Sequence, residues 1–90
     1  MIGDIFMLIK VNEGGVVSDE GYSIQITGPE SLEYKSILGA ITIDMAFDPA
    51  RKVIYVYASR VAEFNEEDKR VMISNVQNAL ALLEGNFFVV

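Results

Sequence analysis

Apolar and polar residues alternate along much of the chain before residue 60, and this period of two predicts a chain built largely from β-strands. The first predicted strand, Ile5 to Val11, is apolar at both alternations, which indicates a strand covered on both faces or lying at an interface. A turn is expected after it at Gly14 and Gly15, because glycine permits positive φ. Val16 and Val17 then begin the returning strand.

The next segment alternates more strictly and is interrupted once. Tyr22, Ile24 and Ile26 alternate with polar residues, as in a strand with one buried face. This strand is expected to stop at Gly28-Pro29. The stretch from Glu30 to Ser36 is ambiguous between an edge strand and one helical turn, and we interpret it as irregular.

A β-hairpin is predicted around the turn Asp48-Pro49-Ala50-Arg51, whose Asp and Pro positions suit a type I turn. A short loop there would place Asp44 opposite Tyr55 and Met45 opposite Ile54. The face assigned to the core carries Ile41, Ile43, Met45, Ile54, Val56 and Ala58. The other face carries Thr42, Asp44, Tyr55 and Tyr57.

A helix is predicted from Glu66 to Glu84, with Asn65 as its N-cap and Gly85 as a left-handed C-terminal cap. Acidic residues fill its first turn, where the helix dipole favours negative charge. Its apolar residues fall on one stripe, which we expect to pack on the core face of the sheet: Met72, Ile73, Val76, Ala79, Leu80 and Leu83. Residues Asn86 to Val90 then predict a short final strand that is buried or paired.

Together these elements predict a single α+β domain spanning residues 1–90. Its antiparallel sheet of roughly four to six strands would be packed by one long helix in the C-terminal half and followed by a short terminal strand. The proportion of apolar residues, 51%, is too high for a disordered tail or an acidic linker.

The chain contains no Cys and no His, which excludes disulfides, the usual zinc sites, a Cys nucleophile and a His-based catalytic triad. The acids Glu66, Glu67 and Asp68 are explained by the helix dipole. The acids Asp44, Asp48 and Glu63 have no His to support them as a metal or acid–base site. We therefore predict no metal, no cofactor and no enzyme activity.

Seven Lys and Arg against thirteen Asp and Glu give a net charge of -6. This charge disfavours nucleic acid and anionic membranes as partners and favours a basic protein, although it is equally explained as a means of keeping the domain soluble. The segment from Met1 to Lys10 has Asp4 where a signal peptide would be basic, and its apolar run is too short to span a membrane. We expect a cytoplasmic protein.

The best candidate binding surface consists of Asp44, Tyr55 and Tyr57, extended by Glu63 if that residue lies near the same face. Tyrosine is enriched at binding hot spots because it combines a large rigid area with a hydrogen-bonding hydroxyl. Cross-strand packing on a solvated sheet explains the same residues, and both interpretations stay open at this point.

Three short segments resemble small α+β immunity proteins of bacterial polymorphic toxin and contact-dependent inhibition systems: Gly21-Tyr22-Ser23-Ile24, Tyr55 to Arg60 and Phe64 to Arg70. In the order of its elements the likeness covers residues 21–90. It implies a cytoplasmic bacterial protein that binds a cognate toxin domain, often a basic nuclease, and blocks it by direct contact.

The alternative belongs to a different class of protein, a self-associating structural or accessory protein, for which a viral or phage origin is one option. In it, a second copy covers the strand from Ile5 to Val11. A third possibility, an enzyme using only Asp and Glu, has no supporting spacing.

Overall fold

A computed structural model describes residues 7–90, and the predicted strand residues before Met7 lie outside this range. Within it the chain forms seven strands, one α-helix and a short 3-10 helix at Ala58–Arg60. In chain order the strands and the helix are β1 (Leu8–Asn12), β2 (Gly15–Ser18), β3 (Ser23–Gly28), β4 (Ser31–Ser36), β5 (Gly39–Asp48), β6 (Val53–Val56), α1 (Glu66–Leu80) and β7 (Phe87–Val89). The α+β class predicted from the sequence is confirmed.

The seven strands form one sheet in which chain order and spatial order coincide. All neighbouring strands are antiparallel except β6 and β7, which run parallel because α1 lies between them in the chain. Strand β5 is long enough to pair first with β4 and then with β6. The sheet therefore curls at the middle of β5, and its inner face encloses the helix.

The prediction of an irregular segment from Glu30 to Ser36 is wrong, because residues 31–36 form β4 in the middle of the sheet. Leu32 and Tyr34 are buried on the inner face, while Glu33 and Lys35 form an ion pair on the outer face at 3.7 Å. Apolar and polar residues do alternate in this segment, but the run is short. The strand pairs with β3 on one side and with β5 on the other. This strand raises the count to seven, above the predicted four to six.

The predicted hairpin exists, but its register differs by two residues. Met45 pairs with Val56 and not with Ile54, and Ala46, not Asp44, lies opposite Tyr55. The cause is the loop between β5 and β6, where Lys52 adopts a φ of 57° and donates its N–H to the Asp48 carbonyl at 2.7 Å. A shift of two residues leaves every side chain on its predicted face.

The predicted turn between β1 and β2 is present at residues 13–14. Positive φ occurs at Gly21 in the following turn and not at Gly14 or Gly15. At Gly15 an added Cβ would collide with the side chains of Gln25 and Asn12, which are hydrogen-bonded to each other at 3.0 Å. These atoms are the far ends of exposed side chains, so an added Cβ would displace the Asn12–Gln25 hydrogen bond.

Helix α1 begins as predicted, since the Asn65 side chain accepts a hydrogen bond from the Asp68 N–H at 2.8 Å. It ends at Leu80, before the predicted Glu84, because the N–H groups of residues 82 and 83 bond to carbonyls three residues back and tighten the chain. The predicted stripe is confirmed, with Ile73 partly buried and the others buried: Met72, Val76, Ala79, Leu80 and Leu83. No helix within residues 7–90 has the length and apolar character needed to cross a lipid bilayer.

Gly85 has a φ of 143° but does not cap the helix, so this part of the prediction is also wrong. An added Cβ would lie 2.7 Å from the Phe87 ring, in a backbone conformation that L-residues rarely adopt. Gly85 therefore lets the chain reverse into β7.

Replacing Gly85 with alanine is expected to lower the free energy of unfolding by about 1 kcal/mol or more, because strain and the contact with Phe87 add. Urea unfolding of the variant measures this loss. Gly21→Ala is the matched control, since it has positive φ but nothing within 4 Å of the added Cβ. Equal losses in the two variants would show that the Phe87 contact contributes nothing.

Candidate functional site

The structure places Asp44 and Tyr57 side by side on the outer face of the sheet. The Tyr57 N–H donates to the Asp44 carbonyl at 2.9 Å, which continues the observed register of β5 and β6 by one step. Asp44 is exposed and Tyr57 is half-buried. Tyr55, the residue predicted to lie opposite Asp44, is two residues before Tyr57 in the chain. Its pairing partner in β5 is Ala46.

Three aromatic rings form a row on this outer face. Tyr55 stacks on Tyr57 with 6.4 Å between ring centroids, and Phe88 meets Tyr55 edge-on at 5.9 Å. The parallel pairing of β7 with β6 sets Phe88 opposite Tyr55. Phe88 is 57% exposed. Phe88 was not predicted as a site residue, because residues 87–90 are all apolar and the sequence does not distinguish the exposed Phe88 from the partly buried Phe87 and Val89.

A guanidinium group completes the row at its other end. The central carbon of the Arg60 guanidinium lies 4.0 Å from the centroid of the Tyr57 ring. This distance is typical of a cation–π contact. The short 3-10 helix after β6 produces this placement, and the Arg60 N–H donates to the Tyr57 carbonyl at 3.3 Å. Arg60 was also missed, because its position depends on that turn.

Glu63 lines the same cleft as Asp44, Tyr57 and Arg60, in agreement with the expectation that it lies near this face. The cleft encloses about 280 Å³. Asp48 is not part of its lining, since its carboxylate accepts hydrogen bonds from Ala50 and Arg51 N–H groups in the β5–β6 loop, at 3.0 and 3.3 Å. We call the surface formed by Asp44, Tyr55, Tyr57, Arg60, Glu63 and Phe88 the tyrosine face.

The charges of the tyrosine face are available to a partner. Within residues 7–90 the ion pairs join Lys35 to Glu33 and Lys69 to Glu66, so the carboxylates of Asp44 and Glu63 neutralise no cation there. Two carboxylates stand beside one guanidinium, and this excess of acceptors suits the ammonium or guanidinium groups of a basic protein. The surface can offer a partner aromatic area and charge-assisted hydrogen bonds.

A second, more apolar cleft of about 400 Å³ lies between α1 and the β4–β5 turn. Tyr34 stacks on Tyr22 at 6.0 Å and accepts a hydrogen bond from the Asn75 amide at 3.0 Å. Burial raises the pKa of Tyr22, and the nearby Glu20 carboxylate adds to the rise. These groups are satisfied within the fold, so we assign this cleft to packing.

Comparisons with protein-family models, with curated proteins and with solved structures find no match to this chain.

Proposed function

We propose that this protein is an immunity-type binding protein that neutralises a cognate basic toxin domain by direct contact through the tyrosine face. The observation that carries the proposal is the row of Tyr57, Tyr55 and Phe88 beside the carboxylates of Asp44 and Glu63. Aromatic area and two acids that form no ion pair within residues 7–90 lie together on the outer side of the sheet.

The aromatic row supplies the contact area of the proposed interface. Tyr55 and Tyr57 are half-buried and hold each other in place by stacking, so little side-chain freedom is lost when a partner covers them. Rigid aromatic side chains of this kind dominate binding energies in protein interfaces. The exposed ring of Phe88 extends the same area along β7.

The acids supply the selectivity for a basic partner. A net charge of -6 raises the rate at which a cationic domain approaches, and Asp44 and Glu63 give that attraction a local target. Arg60 offers the opposite charge beside them, so a partner with a matching carboxylate would be held in one orientation. A cationic toxin covered in this way would lose access to its own substrate.

The proposal is tested with basic toxin domains, mixed with wild type or with the triple variant Asp44→Ala, Tyr55→Ala, Tyr57→Ala. Wild type is expected to abolish toxin activity at a stoichiometric amount and to be captured by the toxin at low salt. The triple variant is expected to lose both properties while keeping a cooperative thermal transition.

The matched control is Thr27→Ala, Glu33→Ala, Lys35→Ala, which changes the outer face of β3 and β4 outside the tyrosine face. It should inhibit like wild type. Equal capture of wild type and a folded triple variant would reject the tyrosine face as the interface. Failure of every basic toxin tested to bind wild type would reject the immunity function itself.

A further inference from the structure

Strand β7 forms one edge of the sheet, and no strand within residues 7–90 pairs with its outer side. The Val90 N–H donates to the Val56 carbonyl at 2.8 Å, on the side of β6. Backbone groups of successive strand residues point to opposite sides, so the even-numbered residues of this stretch bond to β6. The N–H and C=O groups of Phe87 and Val89 consequently point into the open edge.

The edge at β7 lacks the features that usually protect a strand from pairing. At the opposite edge, β1 carries Lys10 and a bulge between Lys10 and Asn12, and both features discourage a further strand. Strand β7 contains no charge and no proline, and it pairs with β6 without a bulge. Because it has only three residues, it can pair with a short segment but not with a long strand.

An open cleft of about 360 Å³ lies beside this edge, between β7 and the end of α1. Its apolar lining includes Leu80, Leu83, Phe87 and Val89. Phe87 and Val89 belong to the inner face of the sheet, because Phe88 between them lies in the aromatic row of the outer face. A segment added beside β7 would therefore direct every second side chain towards the cleft.

The charge around the cleft favours a cation on the segment that it binds. The last turn of α1 contains no basic residue, so the partial negative charge at the end of the helix is not compensated there. Glu84 follows at the surface, and the whole chain has a net charge of -6. The residues that line the cleft are themselves uncharged. Apolar side chains flanked by lysine or arginine are the complementary chemistry.

We propose that β7 and the end of α1 bind an extended segment of a partner protein, which adds to the sheet beside β7. Apolar side chains of the segment enter the cleft, and basic residues flank them. In this mode of recognition, main-chain hydrogen bonds give affinity and pockets for alternate side chains give selectivity. The segment runs antiparallel to β7, since antiparallel pairs are slightly more stable per residue. This inference does not rest on the proposed function.

The probe is a capped peptide in which valine and threonine alternate between two lysines at each end. In the whole chain without peptide, the outward N–H groups of Phe87 and Val89 should exchange with solvent faster than the Phe88 N–H, which is bonded to β6. Adding the peptide should slow exchange at Phe87 and Val89. Nuclear magnetic resonance measures the exchange of each amide and the dissociation constant.

Methylation of the peptide backbone tests the arrangement directly. In the antiparallel pair, the peptide residues opposite Phe87 and Val89 are the valines, and their N–H groups bond to β7. Methylating the valine nitrogens should therefore raise the dissociation constant about tenfold or more. Methylating the threonine nitrogens, which point away from β7, is the matched control and should change it much less. Replacing the lysines with glutamates should weaken binding, because the charge is then repelled.

The role of the cleft is tested in the protein itself. Ala81 is exposed and lines the cleft, so Ala81→Trp should fill it without disturbing the core and weaken peptide binding about tenfold or more. Val71→Trp makes the same kind of change at an exposed position of α1 outside the cleft and should leave binding unchanged. Unaltered exchange at Phe87 and Val89 with peptide up to about 1 mM would overturn the inference. So would equal affinities for the two methylated peptides, or binding that tolerates Ala81→Trp.

Discussion

Replacing Val76 with aspartate is expected to lower the free energy of unfolding by more than about 3 kcal/mol, because the new carboxylate would be buried without a partner. Val76 is fully buried in the middle of α1, where it faces the inner side of the sheet. A domain of this size has only about 5 to 15 kcal/mol of stability, so the variant should lose a large part of it and unfold at a clearly lower temperature. Thermal and urea unfolding followed by circular dichroism measure the change.

The same substitution at Val71 provides the control. Val71 lies on the same helix but is 55% exposed, so its replacement by aspartate should cost less than about 1 kcal/mol. Equal unfolding midpoints for the two variants would mean that the helix does not bury the stripe that contains Val76. A large loss at Val76 alone would confirm which side of α1 forms the core.

The start and the buried side of the helix were predictable because both are set locally. The N-cap depends only on the Asn65 side chain and on the Asp68 N–H three residues later. The buried stripe follows from the helical repeat. The end of the helix was not predictable in the same way. Leu83 continues the apolar stripe, yet the chain has already left the helix, because it must turn at Gly85 to bring β7 beside β6.

The sheet shows the same division between local and distant causes. Alternation assigned the two faces of β5 and β6 correctly, because a side chain's face depends only on parity along its own strand. The register depended on the conformation of four loop residues, with Lys52 at positive φ, and no pattern in β5 or β6 reports that conformation. Strand β4 was missed because it is short and carries two charged residues on its outer face.

The candidate site was predictable to the extent that it lies on one hairpin. Asp44, Tyr55 and Tyr57 share a face by alternation alone, and the shifted register changed only which of the tyrosines lies beside Asp44. Arg60 reaches the site through the 3-10 helix that follows β6. Phe88 reaches it because β7, which comes after α1 in the chain, pairs in parallel with β6. Contacts of this kind require the whole fold.

Under the proposed function, Tyr57 is the residue whose loss should weaken toxin binding most, because it touches both Tyr55 and Arg60 and lines the cleft with Asp44 and Glu63. Tyr57→Ala is expected to reduce affinity by about 1 to 3 kcal/mol, mainly through faster dissociation, since lost contact area acts after the complex has formed. Stopped-flow or surface-based kinetics with the purified toxin domain separates the two rate constants. Tyr57→Phe keeps the stacked ring and should retain most of the affinity.

Glu63→Gln should have the opposite kinetic signature, because an exposed acid at the rim of the cleft acts chiefly on the approach of the partner. We expect slower association, a weaker dependence of that rate on salt, and nearly unchanged dissociation. Glu67→Gln, an exposed acid on α1, removes the same charge away from the cleft and should change these rates much less. If both glutamine variants slowed association equally, steering would come from the net charge of the whole domain, and the acids of the tyrosine face would have no special part in choosing the partner.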